Sequence, residues 1–176
     1  MSRCQIFLSL RAILLLMLMS GVTAASEADF FDFGELSGYG HAAKIIINAR
    51  SRRLTYIAAS GKRVTYPIAV PKRGKEWSGS TYVVGKYIRP DWSPPADVAA
   101  DHPRLPNLIP GGSPRNPMGA RAITLGVGNV AIHGTTAKMR GSIGTAASYG
   151  CIRMRNEDVI DLYNRVDVGT PVEMLN

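Results

Sequence analysis

Two residues that can do covalent chemistry together stand 18 positions apart: His133 in "NVAIHGTT" and Cys151 in "SYGCIRM". A free thiol is mostly protonated at neutral pH, with a pKa of about 8.5. A neighbouring imidazole can take that proton and leave a thiolate–imidazolium pair, the usual activation of a cysteine nucleophile. The ring then needs a third group to orient it. No Asp or Asn follows His133 closely, so the backbone carbonyl of Gly134, or Thr135, could accept the other imidazole proton. The glycines at 141, 144 and 150 let backbone approach a substrate closely. The N–H groups of Gly150 and Cys151 could form part of an oxyanion hole. Tyr149 either adds its hydroxyl to that site or is a β-favouring aromatic. Arg153, two residues beyond Cys151 and on the same strand face, suits a carboxylate, either of the substrate or of a structural acid. Ser148 and Thr135 complete the set of substrate-contacting candidates. By themselves a Cys and a His are a weak signal, since a buried thiol and a strand-end imidazole describe them equally well.

The cysteine count adds weight. The chain has 2 Cys in 176 residues. The first, Cys4, lies in "MSRCQIFLSLRAILLLMLMSGVTAAS", where Arg3 and Arg11 precede an apolar run from Ala12 to Met19 and then small residues. That order reads as a secretory signal over 1–24, cut after the Val22-x-Ala24 pattern or at Ala25. The run is shorter than the roughly 20 residues a membrane-spanning helix needs. Cys4 precedes the run, the wrong side for lipid attachment, and is expected to leave with the signal. An exported chain with Cys151 alone has no internal disulfide to make, so its thiol is a buried passenger or a reactive group. The expected location is the periplasm or cell envelope. Without Arg3 and Arg11, 19 basic residues face 13 acidic ones, a net charge of about +6. Export makes nucleic acid a poor partner. Anionic envelope material, such as carboxylate-bearing wall peptides, fits better, although a basic pI alone also serves solubility.

The elements that must hold these residues read as mainly β. Residues 25–42 mix acidic, aromatic and glycine residues without a period and form a leader. The domain then runs over 43–176. "KIIINA", "RLTYIAA" and "VTYPIAV" predict a three-stranded meander, turning at Ser60-Gly61, with Val64, Tyr66, Ile68 and Val70 along one buried face. "TYVVGKYI" predicts a strand with a bulge or close approach at Gly85. Residues 89–117 are dense in Pro, Gly and Asp and form a long loop containing Trp92, either a lid or a structural excursion. "RAITLG", "NVAIHG" and "SYGCIRM" predict short strands, and "VEML" a closing one. "NEDVIDLYNRV" predicts one main helix over about 156–166, with Asn156 as N-cap and Glu157 and Asp158 in its first turn.

"HGT" followed by "S-x-G-C-I-R-M" resembles the catalytic signature of the L,D-transpeptidase family, the YkuD-type domain. Asn156, Asp161 and Tyr163 after the motif, and "PMGARAITLG" before the histidine, are similar to that family's flanking pattern. The resemblance covers about Ala43 to Leu175. It implies a YkuD-like β-sandwich or β-sheet catalytic domain and two-step acyl transfer on peptidoglycan stem peptides without a cofactor. Cys151 would cleave the bond between a diamino acid and the terminal D-Ala of a tetrapeptide stem. His133 would act as base and then acid, and the stem would pass to an amine. That amine is another stem, giving a 3→3 cross-link, or an outer-membrane protein. Inhibition by carbapenems is implied as well. One departure is visible: many members have His where this chain has Tyr149. The usual base is the "HGT" histidine, so the change bears on oxyanion stabilisation or substrate choice. The competing readings are an L,D-carboxypeptidase using the same acyl-enzyme with water, and a non-catalytic wall-binding module. A zinc peptidase is disfavoured, because His41, His102 and His133 show no close ligand spacing and only Asp101 adjoins one of them.

Overall fold

The computed structural model describes residues 42–176. The signal, the leader up to His41, and Cys4 lie outside the described residues.

The first three strands form the expected antiparallel meander: β1 (Lys44–Asn48), β2 (Arg53–Ile57) and β3 (Arg63–Pro67). Ile45, Ile47, Leu54, Tyr56 and Tyr66 alternate inward, so one face of each strand enters the core. The β2–β3 turn places Gly61 at φ +81°, where a side chain would be strained. The run from Val64 to Val70 is two strands, not one. β3 stops at Pro67, which has no N–H for a ladder. β4 (Val70–Pro71) then leaves the meander and pairs in parallel with β8 (Ala146–Ser148). Between β3 and β4, Ala69 exchanges backbone hydrogen bonds with Arg153 at 2.8 and 3.0 Å. That bridge curls the start of the domain toward the segment carrying Cys151.

The main sheet continues through β5 (Gly79–Ile88), β6 (Arg121–Leu125), β7 (Ala131–His133) and β9 (Ile152–Arg153). The last strand, β10 (Pro171–Leu175), inserts between β1, to which it runs parallel, and β5. The order is β3-β2-β1-β10-β5-β6-β7-β9. The β5–β6 register shifts between Val83 and Gly85, a bulge at the expected glycine. A Cβ at Gly85 would lie 2.8 Å from Thr124 Oγ1, so the position is also a close approach.

The long loop carries one short helix, α1 (Ala96–Asp101). The main helix, α2 (Asn156–Arg165), buries Val159 and Leu162 and packs on β6 and β7. It starts at Asn156, so Arg155 takes the N-cap position and no side chain caps the helix. Tyr66 Oη donates to Asp161 at 2.6 Å and ties β3 to this helix. Ile132 and Ile152, paired across β7 and β9, are fully buried beneath the site, each removal from water stabilising by about 2–3 kcal/mol.

Candidate active site

β7 and β9 run parallel, with His133 opposite Arg153. Side chains repeat every second residue on a strand, so Cys151, immediately before β9, lies diagonally across from His133. Strand geometry puts their Cα atoms roughly 8 Å apart. The segment "SYGCIRM" is not one strand. β8 ends at Ser148, the chain turns through Gly150 at φ +124°, and β9 begins after Cys151. The thiol therefore stands at a turn and not in a ladder. Both residues open on a cavity of about 470 Å³, together with Arg153, Ser148 and Tyr149. The loop supplies Trp92, Arg115 and α1's Val98 to the same cavity.

His133 is 3% exposed, and its Nδ1 lies 2.8 Å from the carbonyl oxygen of Gly134. A carbonyl only accepts, so Nδ1 carries the proton and Nε2 keeps its lone pair. Burial pushes the imidazole pKa down to about 4, and the Arg153 charge pushes the same way; the backbones of Gly134 and Pro117 oppose both. Burial raises the Cys151 thiol pKa, partly offset by the Ala131 backbone and by Arg153. Its Sγ sits 3.9 Å from the Asn129 carbonyl oxygen. Both shifts favour the uncharged forms, thiol and neutral imidazole, over a preformed ion pair.

Arg153 is 9% exposed. Its Nη1 donates to Ser142 Oγ at 2.7 Å, and its Nε has no hydrogen-bond partner among the described residues. None of the ion pairs among the described residues includes it. Of the two partners its position allowed, the structural acid is therefore missing. Among the described residues no Asp or Glu lines the cavity, whereas Arg115 and Lys138 join Arg153 there. The site is a cationic pocket without a counter-charge of its own.

The remaining candidates divide. Ser148 is 1% exposed and lines the cavity, but its hydroxyl donates to the Cys151 carbonyl oxygen and so braces the turn. The Gly150 N–H points at Ser148 Oγ over 3.4 Å, a long bond that a stronger acceptor can displace. Tyr149 reaches the other way from an oxyanion position. Its hydroxyl donates to Asp101 at 2.6 Å and lies 3.4 Å from His102, while Lys72 Nζ sits 3.5 Å over its ring. It thereby joins the cysteine turn to the end of α1. Thr135, expected beside the substrate, lines a separate cavity of about 330 Å³ on the far side of the Gly134 loop.

The reason is Asn156, whose part the sequence reading misassigned. Its Oδ1 accepts from the N–H groups of Ala120 at 3.0 Å and Thr135 at 3.1 Å, and its Nδ2 donates to the Thr135 carbonyl at 2.9 Å. A Cβ at Gly119 or Gly134 would fall 2.3 or 2.2 Å from that Oδ1, so both glycines are required by the amide. Asn156 thus holds the loop whose Gly134 carbonyl orients His133, and draws Thr135 away from the cleft. Trp77 was also missed: its Nε1 donates to the Gly150 carbonyl at 2.9 Å. Among the described residues no three metal-ligating side chains converge.

A curled sheet presenting a thiol and an imidazole at one cleft defines a catalytic domain, and the sequence places it in a family. Residues 42–174 match the YkuD-type L,D-transpeptidase catalytic domain, and the chain belongs to that family of enzymes. It is 37% identical over 139 residues to the probable L,D-transpeptidase YbiS of Escherichia coli K12, covering 75% of this chain and 44% of that protein. With the putative L,D-transpeptidase YqjB of Bacillus subtilis it shares 33% over 135 residues, covering 73% and 68%. The chain therefore spans less than half the length of the E. coli relative. An L,D-transpeptidase 3 from Mycobacterium tuberculosis, solved with a faropenem-derived adduct, superposes with a TM-score of 0.59 at 16% identity, covering 77% of this chain and 60% of that one. That likeness establishes the fold.

Proposed function

We propose that this protein is a peptidoglycan L,D-transpeptidase of the periplasm or cell envelope, with Cys151 as nucleophile and His133 as general base and acid. The observation that supports it most is a cleft holding thiol, imidazole and a buried guanidinium that, among the described residues, has no ion-pair partner and no carboxylate on the surrounding walls. A stem peptide ending in a carboxylate supplies the missing charge. Arg153 takes that carboxylate and sets the scissile carbonyl over Cys151.

The Cys151 thiol attacks the carbonyl carbon of the diamino acid as its proton passes to His133 Nε2. The oxyanion is met by the N–H groups of Gly150 and Cys151. The C–N bond breaks, His133 returns the proton to the departing D-Ala amine, and a thioester remains. An acceptor amine then gives its proton to His133 and attacks the thioester. The C–S bond breaks, and the thiolate recovers the proton. The resting neutral pair makes this proton transfer concerted with attack. The acceptor is a second stem or an outer-membrane protein. Carbapenems acylate the same thiol.

Incubation with a tetrapeptide stem and mass spectrometry tests the reading. Wild type releases D-Ala and yields a cross-linked dimer, while Cys151→Ala does neither. Release of D-Ala with only the trimmed tripeptide assigns an L,D-carboxypeptidase instead. Undiminished release by Cys151→Ala refutes both.

A further inference from the structure

The net positive charge of the described chain comes almost wholly from one stretch. Residues 42–75 hold nine Lys and Arg and no Asp or Glu, whereas 76–176 hold ten against nine acids. Lys72 and Lys75 pair with Asp101 and Asp97 near the cleft. Six others gather on the meander: Lys44, Arg50, Arg52, Arg53, Lys62 and Arg63, all exposed. None belongs to an ion pair among the described residues.

Register collects them. One row of Cα partners joins Lys44, Ile57 and Arg63, and another joins Asn48, Arg53 and Pro67. These rows alternate with the inward-facing Ile45, Ile47, Leu54 and Tyr66, so Lys44, Arg53 and Arg63 project from the outer face. Ile46, Thr55 and Thr65 fill its middle, the two threonines bonded to each other at 3.0 Å, and Ile57 is covered between Lys44 and Arg63. Arg50 and Arg52 extend the face at the β1–β2 turn, and Lys62 does so at the β2–β3 turn. Arg52 holds φ +55°, a conformation that favours glycine or asparagine, so an arginine is kept there against backbone preference. The sheet face measures roughly 15 Å along the strands and 10 Å across. None of the six lines the cleft.

We propose that this outer face of β1–β3 docks on the surface of an anionic phospholipid bilayer. Four of its six cations are arginines, whose forked guanidinium matches phosphate oxygens. A flat three-stranded face with basic turns at both ends fits a plane of headgroups, while the cleft takes its peptide independently. The inference does not depend on the chemistry at Cys151.

Co-sedimentation of the full chain with phosphatidylglycerol–phosphatidylcholine vesicles tests it, against pure phosphatidylcholine. The neutral vesicles report any contribution of the apolar run Ala12–Met19. The expected result is binding to the anionic vesicles that weakens with added salt. It falls about tenfold or more in Arg53→Glu/Arg63→Glu, which keeps the wild-type rate of Cys151 alkylation. Arg52→Gly, which suits the turn, keeps the fold and lowers binding about fivefold. Equal binding by wild type and both variants overturns the proposal. So does tighter binding to soluble polyphosphate than to vesicles at equal phosphate, which assigns the face to a soluble polymer. Absence of binding to the anionic vesicles overturns it as well.

Discussion

Asn156→Ala is the substitution that separates positioning from reacting groups. It touches neither thiol nor imidazole, yet it removes the partner of two N–H groups and one carbonyl. Each lost hydrogen bond costs about 1 kcal/mol, and more where water does not reach the freed group. The sum is about 2–4 kcal/mol of stability, or roughly 10 °C in Tm for a domain of this size. The consequence for chemistry runs through Gly134. With Thr135 released, the Gly134 carbonyl no longer fixes Nδ1 of His133, and the ring can turn its lone pair from Cys151. A misplacement of about 1 Å at the base costs on the order of a hundredfold in rate. Asn156→Asp keeps the acceptor for both N–H groups and loses only the donor to Thr135, so it falls between wild type and the alanine variant. The assays are thermal unfolding and the pH profile of Cys151 alkylation, measured at a temperature where all three proteins are folded. Tm and alkylation profiles of Asn156→Ala indistinguishable from wild type would refute the reasoning.

The buried imidazole sets a stability window. His133 stays neutral in the fold down to about 4, while the unfolded chain protonates it near 6.5. Its contribution is therefore complete above 6.5 and disappears as pH falls toward 4, up to about 3 kcal/mol. Urea unfolding between pH 7 and 4 should show that loss, and His133→Asn should flatten it; an unchanged slope counts against the assignment. Tyr149→Phe removes the bond to Asp101 and is expected to raise KM for the stem a few fold with kcat nearly constant, whereas a tenfold fall in kcat would place the hydroxyl at the reacting atoms. The acid limb of kcat should lie above that of kcat/KM, because a substrate carboxylate on Arg153 cancels one cause of the low His133 pKa. Coincident limbs would mean that Arg153 does not meet that carboxylate.

Local pattern made much of the fold legible. Alternation marked the meander, Gly85 marked the bulge, and an acidic first turn marked α2. The failures share a cause, which is that the deciding partner is distant in sequence. Val64–Val70 alternates as one strand would, but Ala69 is claimed by Arg153 and Pro67 ends the ladder. Asn156 has the ideal residue type for an N-cap, yet its amide is used 36 and 21 residues upstream, at Ala120 and Thr135. Tyr149 could not be placed from "SYGC" because its partner, Asp101, lies in a loop with no period to read. His133 and Cys151 stood out through the resemblance of "HGT" and "S-x-G-C-I-R-M" to the family signature, and local structure places both on one cleft. Each sits at a strand end beside a glycine, and two short parallel strands leave little freedom in how their ends align.

On the proposed function, charge gives the substrate a part in completing the cleft. A guanidinium 9% exposed, with no acid beside it among the described residues, depresses the base and is itself held below its ordinary pKa by burial. Burial of the thiol, and burial of the imidazole together with the Arg153 charge, favour the neutral forms of both, which protects the Cys151 thiol from oxidation, since the thiolate is the reactive form. On the proposed function, a carboxylate entering the pocket would neutralise Arg153 and remove its repulsion from an imidazolium, so His133 would become a better base when the scissile bond is in reach. The same neutralisation takes away the help Arg153 gives a thiolate, and free thiolate stays scarce. Proton transfer would thereby be tied to attack on a bound carbonyl. An acid placed beside Arg153 by mutation would raise His133 basicity without substrate, at the cost of the carboxylate site.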